Sequence, residues 1–126
     1  MIAGIGIDII ETERVANKID KGNGFREYVF SASEITYCEN NKNKVEHYAA
    51  RFAAKEALLK AFGTGFSANY VLNEIEIMND KMGRPSFSFK GETKINIEAK
   101  GISQIHLSMS HQKKIACATV VIEKQH

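Results

Sequence analysis

Glu56 and Lys60 stand four residues apart in a stretch, Val45 to Phe62, that holds neither Gly nor Pro and is rich in Ala and Leu. At that spacing they share one face of a helix, and two roles follow. As a Glu-first ion pair they would contribute about 0.2 to 0.5 kcal/mol to the helix. As a site, Glu56 would be a metal ligand and Lys60 a phosphate contact, which requires a second carboxylate from elsewhere in the chain. Asp8 supplies one. It closes the run Gly4-Ile5-Gly6-Ile7-Asp8, where missing side chains leave room for a ligand or another backbone beside a carboxylate. The same glycines also suit tight strand-to-strand packing, with Asp8 capping the turn that follows.

The carrier of Asp8 is a strand from Ile2 to Ile10, with Ile5, Ile7 and Ile9 as its predicted packed face. The carrier of Glu56 and Lys60 is a helix closed by Gly63-Thr64-Gly65. Apolar residues spread around most of that helix, so it is expected to be central. Its charges form two groups, Arg51 with Lys55 and Glu56 with Lys60, pointing about 140° apart. At least one group must therefore face something other than bulk water. Thr12 is placed to cap a short helix from Glu13 to Ile19, with Val15, Ala16 and Ile19 inward and Arg14 outward. Ser31-Ala32-Ser33-Glu34 reads as a capping box between the staple residues Phe30 and Ile35, predicting a helix from Ala32 to Glu39.

Period-two alternation in Ile75–Met78 and Ser86–Phe89 predicts a hairpin, and Gly91 to Lys100 a helix. Ile105–Ser110 and Ile115–Ile122 form a second hairpin. Its last strand is apolar on both faces, which puts it inside the sheet or at a subunit contact. The fold class expected is α+β: a small, mainly antiparallel sheet packed on one long central helix.

A length of 126 residues fits a single domain spanning 1–126. The hydrophobic share of 44% and charged share of 25% are those of a globular protein and argue against disorder. Seventeen Lys and Arg against fifteen Asp and Glu leave a net charge of +2, too small to imply nucleic-acid binding. Cys38 and Cys117 match no zinc or redox spacing and are expected to be buried and reduced. Neither a signal peptide nor a membrane-spanning run is present, so a cytoplasmic, membrane-free protein is expected.

Two motifs then stand together: Gly6-Ile7-Asp8 followed by Arg14, and Phe52-Ala53-Ala54-Lys55-Glu56-Ala57 followed by Lys60 and Phe62-Gly63-Thr64-Gly65. Jointly they resemble the signature of the phosphopantetheinyl transferases of the short holo-[acyl carrier protein] synthase type. The likeness continues through Phe30-Ser31, Ser33-Glu34, Gly83-Arg84-Pro85 and Leu107-Ser108-Met109-Ser110-His111, and so covers the whole chain. It implies transfer of the 4'-phosphopantetheine arm of coenzyme A to a serine of an apo acyl carrier protein, with Mg²⁺, releasing adenosine 3',5'-bisphosphate.

Carried over by position, Asp8 and Glu56 match the metal carboxylates and Lys60 the lysine at the phosphates. Gly63, Gly83, Arg84, Pro85, Ser110 and His111 fall in segments the family places beside the nucleotide. The family is a homotrimer with active sites between subunits, and it docks the acidic carrier on a basic first helix. Arg14, Lys21 and Arg26 match that surface, although the neutral Gly22-Asn23-Gly24 thins it. Glu56, directly or through water, is the expected base for the serine proton. A binding module without chemistry is the rival reading. A generic nucleotide hydrolase is disfavoured, because the chain has no G-x-x-x-x-G-K-[ST] loop.

Overall fold

Two missing side chains decide how the first strand meets the long helix. In the computed structural model, which describes residues 1–63 and 70–125, β1 (Ile2–Glu11) lies against α4 (Lys44–Phe62) through its glycine face. A Cβ on Gly4 would collide with the Ala61 carbonyl oxygen, and one on Gly6 with the Ala57 carbonyl oxygen. Here the glycines admit a helix backbone, and Ala53, Ala57 and Ala61 keep that side of α4 low enough for the approach. The predicted packed face of Ile5, Ile7 and Ile9 is instead the outer one, 63%, 64% and 68% exposed. A strand alternates its faces, so once the helix takes the glycine side the isoleucines must point away from it.

The rest of the chain follows its sequence signals closely. α1 (Thr12–Asp20) buries Val15, but Thr12 is not its cap: the N-cap position falls on Glu11, and the Thr12 hydroxyl donates to the Lys113 carbonyl at 2.6 Å. α2 (Phe25–Val29) is a short helix ahead of α3 (Ala32–Glu39), whose capping box forms as expected between Ser31 and Glu34. α4 ends on Gly63 at φ +78°, a conformation that favours glycine. Thr64 and Gly65, the remainder of the predicted terminator, and His126 lie outside the described residues. A 3-10 turn (Leu72–Glu74) leads into β2 (Ile75–Asn79), β3 (Pro85–Phe89) and α5 (Gly91–Glu98). The chain then pairs β4 (Ile102–His111) with β5 (Ile115–Lys124).

All strand pairing is antiparallel, but in two sheets and not one: β1-β5-β4 and the separate hairpin β2-β3. The two-faced apolar strand β5 is the centre of the larger sheet, and α4 packs across it. Core residues fall on both sides of α4, with Val15, Phe30, Tyr48 and Phe52 on one and Ala57, Leu58, Ile75 and Val120 on the other. Cys38 is buried, with its thiol pushed up to about 12 by that burial, and is an inert filler. Cys117 is only partly buried, because it sits on the outer face of the larger sheet with Ile9.

Gly6→Ala tests the close approach. It is expected to lower stability by at least about 2 kcal/mol in a urea titration, since the Cβ meets backbone and not a movable side chain. An unchanged midpoint would show that strand and helix are not packed backbone to backbone.

Candidate active site

Asp8 shares the helix-facing side of β1 with Gly4 and Gly6, so the contact that brings α4 in also delivers a carboxylate to it. Lys60 reaches back along α4 to meet it. Its Nζ lies 3.0 Å from Asp8 Oδ1 and donates to the Ile7 carbonyl at 3.1 Å. The simple Glu56–Lys60 ion pair does not form: among the described residues, Lys60 directs its charge to Asp8, and Glu56 has no hydrogen bond or ion pair of its own. Glu56 is half-buried one turn before Lys60. Burial pushes its carboxyl above the usual range and the charge of Asp8 adds to this, while Lys60 and Lys18 act the other way.

Two carboxylates, one of them Glu56 whose ionisation the charge of Asp8 discourages, with an exposed lysine seated on Asp8, make a place that favours a cation. The donors are hard oxygens, and no third His, Cys, Asp or Glu joins them among the described residues. That suits Mg²⁺, which commonly takes one or two protein carboxylates and leaves its other positions to water and phosphate oxygens. Gly63 caps the same helix three residues beyond Lys60.

The remaining expected site residues lie elsewhere within the chain. Gly83 and Arg84 lie in the β2–β3 turn and Pro85 opens β3; the turn is held by Asp80, whose Oδ1 accepts from the Met82 and Arg84 amides at 2.8 and 2.9 Å. Arg84 and Pro85 line a cleft of about 280 Å³ running to His106 on β4. Ser110 faces outward with Ile9, the side opposite Asp8. The His111 imidazole meets Glu46 at 2.9 Å and stacks edge-on with His47. Glu46 is ten residues before Glu56, about 15 Å along the helix. Arg14 and Lys21 are exposed and unpaired among the described residues. Arg26 is engaged by Glu27 at 2.8 Å and Glu39 at 3.2 Å.

Sequence reasoning missed the hub beneath this surface. Lys55, fully buried, donates to Glu34 at 2.6 Å, the Val29 carbonyl at 2.7 Å and the Leu72 carbonyl at 3.0 Å. The other Glu34 oxygen accepts from the Ile77 amide at 3.0 Å, while Arg51 stacks on the Tyr37 ring. The angular split of the helix charges is the available signal. What it lacks is the partner, because Glu34 already reads as a cap.

Residues 4–120 match the profile of the 4'-phosphopantetheinyl transferase superfamily. A holo-[acyl-carrier-protein] synthase of Cytophaga hutchinsonii is 47% identical over 98% of this chain and 99% of its own length. Among solved structures, the holo-[acyl-carrier-protein] synthase of Neisseria meningitidis superposes with a TM-score of 0.91 at 36% identity, covering 98% of this chain and 100% of that one. That of Bacillus anthracis, in complex with CoA (3',5'-ADP), gives 0.83 at 38% identity, covering 99% of each.

A raised Glu56 pKa has a sign that can be checked without any ligand. Below the unfolded value of about 4.5, both folded and unfolded chains hold the proton and there is no penalty. As pH rises, the unfolded chain ionises first, so the fold is destabilised, an effect that is complete above the folded pKa. Glu56→Gln is therefore expected to raise the Tm of the metal-free protein at neutral pH and to leave it unchanged well below pH 4.5. A Tm lowered at neutral pH would mean that the carboxylate is held by a favourable partner.

Proposed function

The chain belongs to the 4'-phosphopantetheinyl transferase superfamily, and on that premise we infer that it is a holo-[acyl-carrier-protein] synthase. It transfers the 4'-phosphopantetheine arm of coenzyme A to a serine of apo acyl carrier protein, in fatty acid biosynthesis, and releases adenosine 3',5'-bisphosphate. One transferase domain, residues 1–126, carries the activity. The observation that bears most weight is local: Lys60 bridges to Asp8 while Glu56, one turn away, is left with a raised pKa and no partner among the described residues.

Asp8 and Glu56 would hold Mg²⁺, which when bound draws charge from the diphosphate oxygens. Lys60, more than half exposed, can exchange Asp8 for a phosphate oxygen of coenzyme A without leaving its helix turn. The serine hydroxyl attacks the phosphorus bearing the pantetheine arm, the bond to the nucleotide phosphate breaks, and the serine proton passes to Glu56, directly or through water. Burial pushes the Glu56 carboxyl up, the direction that favours a base, and a bound Mg²⁺ would act the other way. Alignment and charge stabilisation are the main tasks left to the protein.

Gly63, Gly83, Arg84, Pro85, Ser110 and His111 are proposed to hold the nucleotide. Their dispersal within one chain supports a homotrimer in which neighbouring subunits complete each site. So do the exposed isoleucines of β1, an apolar face that a second copy would cover. Arg14 and Lys21 are proposed to dock the acidic carrier. Arg26 would join them by exchanging Glu27 or Glu39 for a carrier carboxylate. No described helix is long and apolar enough to cross a membrane, and the cytoplasm, where two unpaired cysteines stay reduced, is the proposed location.

Incubation with coenzyme A, Mg²⁺ and an apo carrier is expected to add the arm, read as a mass increase of the carrier. An unmodified carrier under working controls would favour the binding module. Glu56→Gln should cut kcat by about a hundredfold or more at saturating Mg²⁺, and near-full turnover would refute its role as base. Arg14→Glu should raise the KM for carrier far more than that for coenzyme A, whereas equal changes would rule out docking.

A further inference from the structure

The turn between β4 and β5 is fastened to the start of α1. The Thr12 amide donates to the Lys114 carbonyl at 2.9 Å and its hydroxyl to the Lys113 carbonyl at 2.6 Å, while the Gln112 amide closes the turn on the Ile115 carbonyl at 2.8 Å. Thr12 is itself 5% exposed, so this clamp is built into the fold and not a contact of mobile surfaces. It holds two exposed lysines, Lys113 and Lys114, beside the first turn of the helix that carries Arg14. Neither lysine has a carboxylate partner among the described residues, and the same holds for Lys18 on α1.

This end of the molecule adjoins the reacting carboxylates. Thr12 follows Asp8 by four residues of strand, about 13 Å at most. On α1 itself, Lys18 carries its ammonium over the ring of Phe52, 5.9 Å from the centroid, and Phe52 stands one turn before Glu56 on α4. Arg14 and Lys18 on α1 and Lys113 and Lys114 on the turn stand here against Glu11 and Glu13, with the carboxylates of Asp8 and Glu56 beyond them. A protein interface of ordinary size covers about 800 Å² on each partner, a disc of roughly 16 Å radius. For a carrier seated on α1 through Arg14 with its serine at Asp8 and Glu56, a footprint of that size is large enough to include the turn.

We propose that the carrier-docking surface is bipartite, with Lys113 and Lys114 on the clamped β4–β5 turn acting beside Arg14 to receive acidic side chains of the carrier protein. The inference rests on the transferase reading above. Its charges work at a solvent-exposed rim, so they act on encounter and on carrier affinity and not on the chemical step. The anionic nucleotide of coenzyme A is the competing occupant and is separated from the carrier by the test.

The test uses the full chain with Lys113→Glu and Lys114→Glu together, in steady-state transfer with carrier and coenzyme A varied independently. The expected result is a carrier KM raised about tenfold or more at low salt, a difference that shrinks toward that of the wild type as salt screens the rim. The kcat and the coenzyme A KM stay unchanged. Lys113→Arg with Lys114→Arg should keep the wild-type carrier KM, as charge and not shape is required. An unchanged carrier KM in the glutamate variant overturns the proposal, and a raised coenzyme A KM assigns the turn to the nucleotide instead. If the wild-type chain itself transfers no arm, the transferase reading has failed and not merely this surface.

Discussion

Backbone against backbone, β1 and α4 meet where Gly4 faces Ala61 and Gly6 faces Ala57, and the geometry of the site depends on that contact. A strand carrying ordinary side chains would stand off from a helix by the depth of those side chains. With none present, the helix comes down to the strand, and Asp8, next on the same face, is brought within reach of a lysine from the last turns of α4. The approach also has a cost, for the strand's larger side chains are left on the outside. Four isoleucines of β1 are each more than half exposed, which is a heavy apolar load for one edge strand.

Beneath the site, a second constraint holds α4 in place along its other side. Lys55 carries its ammonium to acceptors from α2, α3 and the 3-10 turn, and Glu34 passes the connection on to β2. Neighbouring positions on one helix thus have opposite fates. Lys55 is buried among fixed acceptors as structure, whereas Glu56, a hundred degrees around, is half-buried with a raised pKa and no ion pair among the described residues. Breaking a buried pair of this kind typically costs about 3 to 5 kcal/mol, so the interior is held far more firmly than the solvent-accessible Lys60–Asp8 contact.

Much of this is legible in the sequence because the signals are local. The capping box at Ser31, the glycine stop at Gly63 and the alternation around the β2–β3 turn each rest on residues a few positions apart. Features that depend on distant partners are not legible. Isoleucines at 5, 7 and 9 look like a core face because nothing in β1 says which side the helix will take. Thr12 looks like a cap because its true acceptor is a hundred residues away. Glu56 and Lys60, taken alone, look like a plain ion pair, and only the arrival of Asp8 removes that reading. A motif shared with a family names the carboxylates, while the fold explains how the strand carrying Asp8 comes to meet the helix carrying Glu56 and Lys60.

Metal affinity, measured on single and double variants, tests the pairing most directly. Mn²⁺ or Mg²⁺ binding in the presence of coenzyme A would be titrated for the wild-type chain, Asp8→Asn, Glu56→Gln and the two combined. If both acids hold one ion, either single change removes nearly all of the affinity and the second adds little, a strongly non-additive cycle. Two modest losses that simply add would mean that Asp8 and Glu56 do not share a cation, and that the meeting of strand and helix does not create the site.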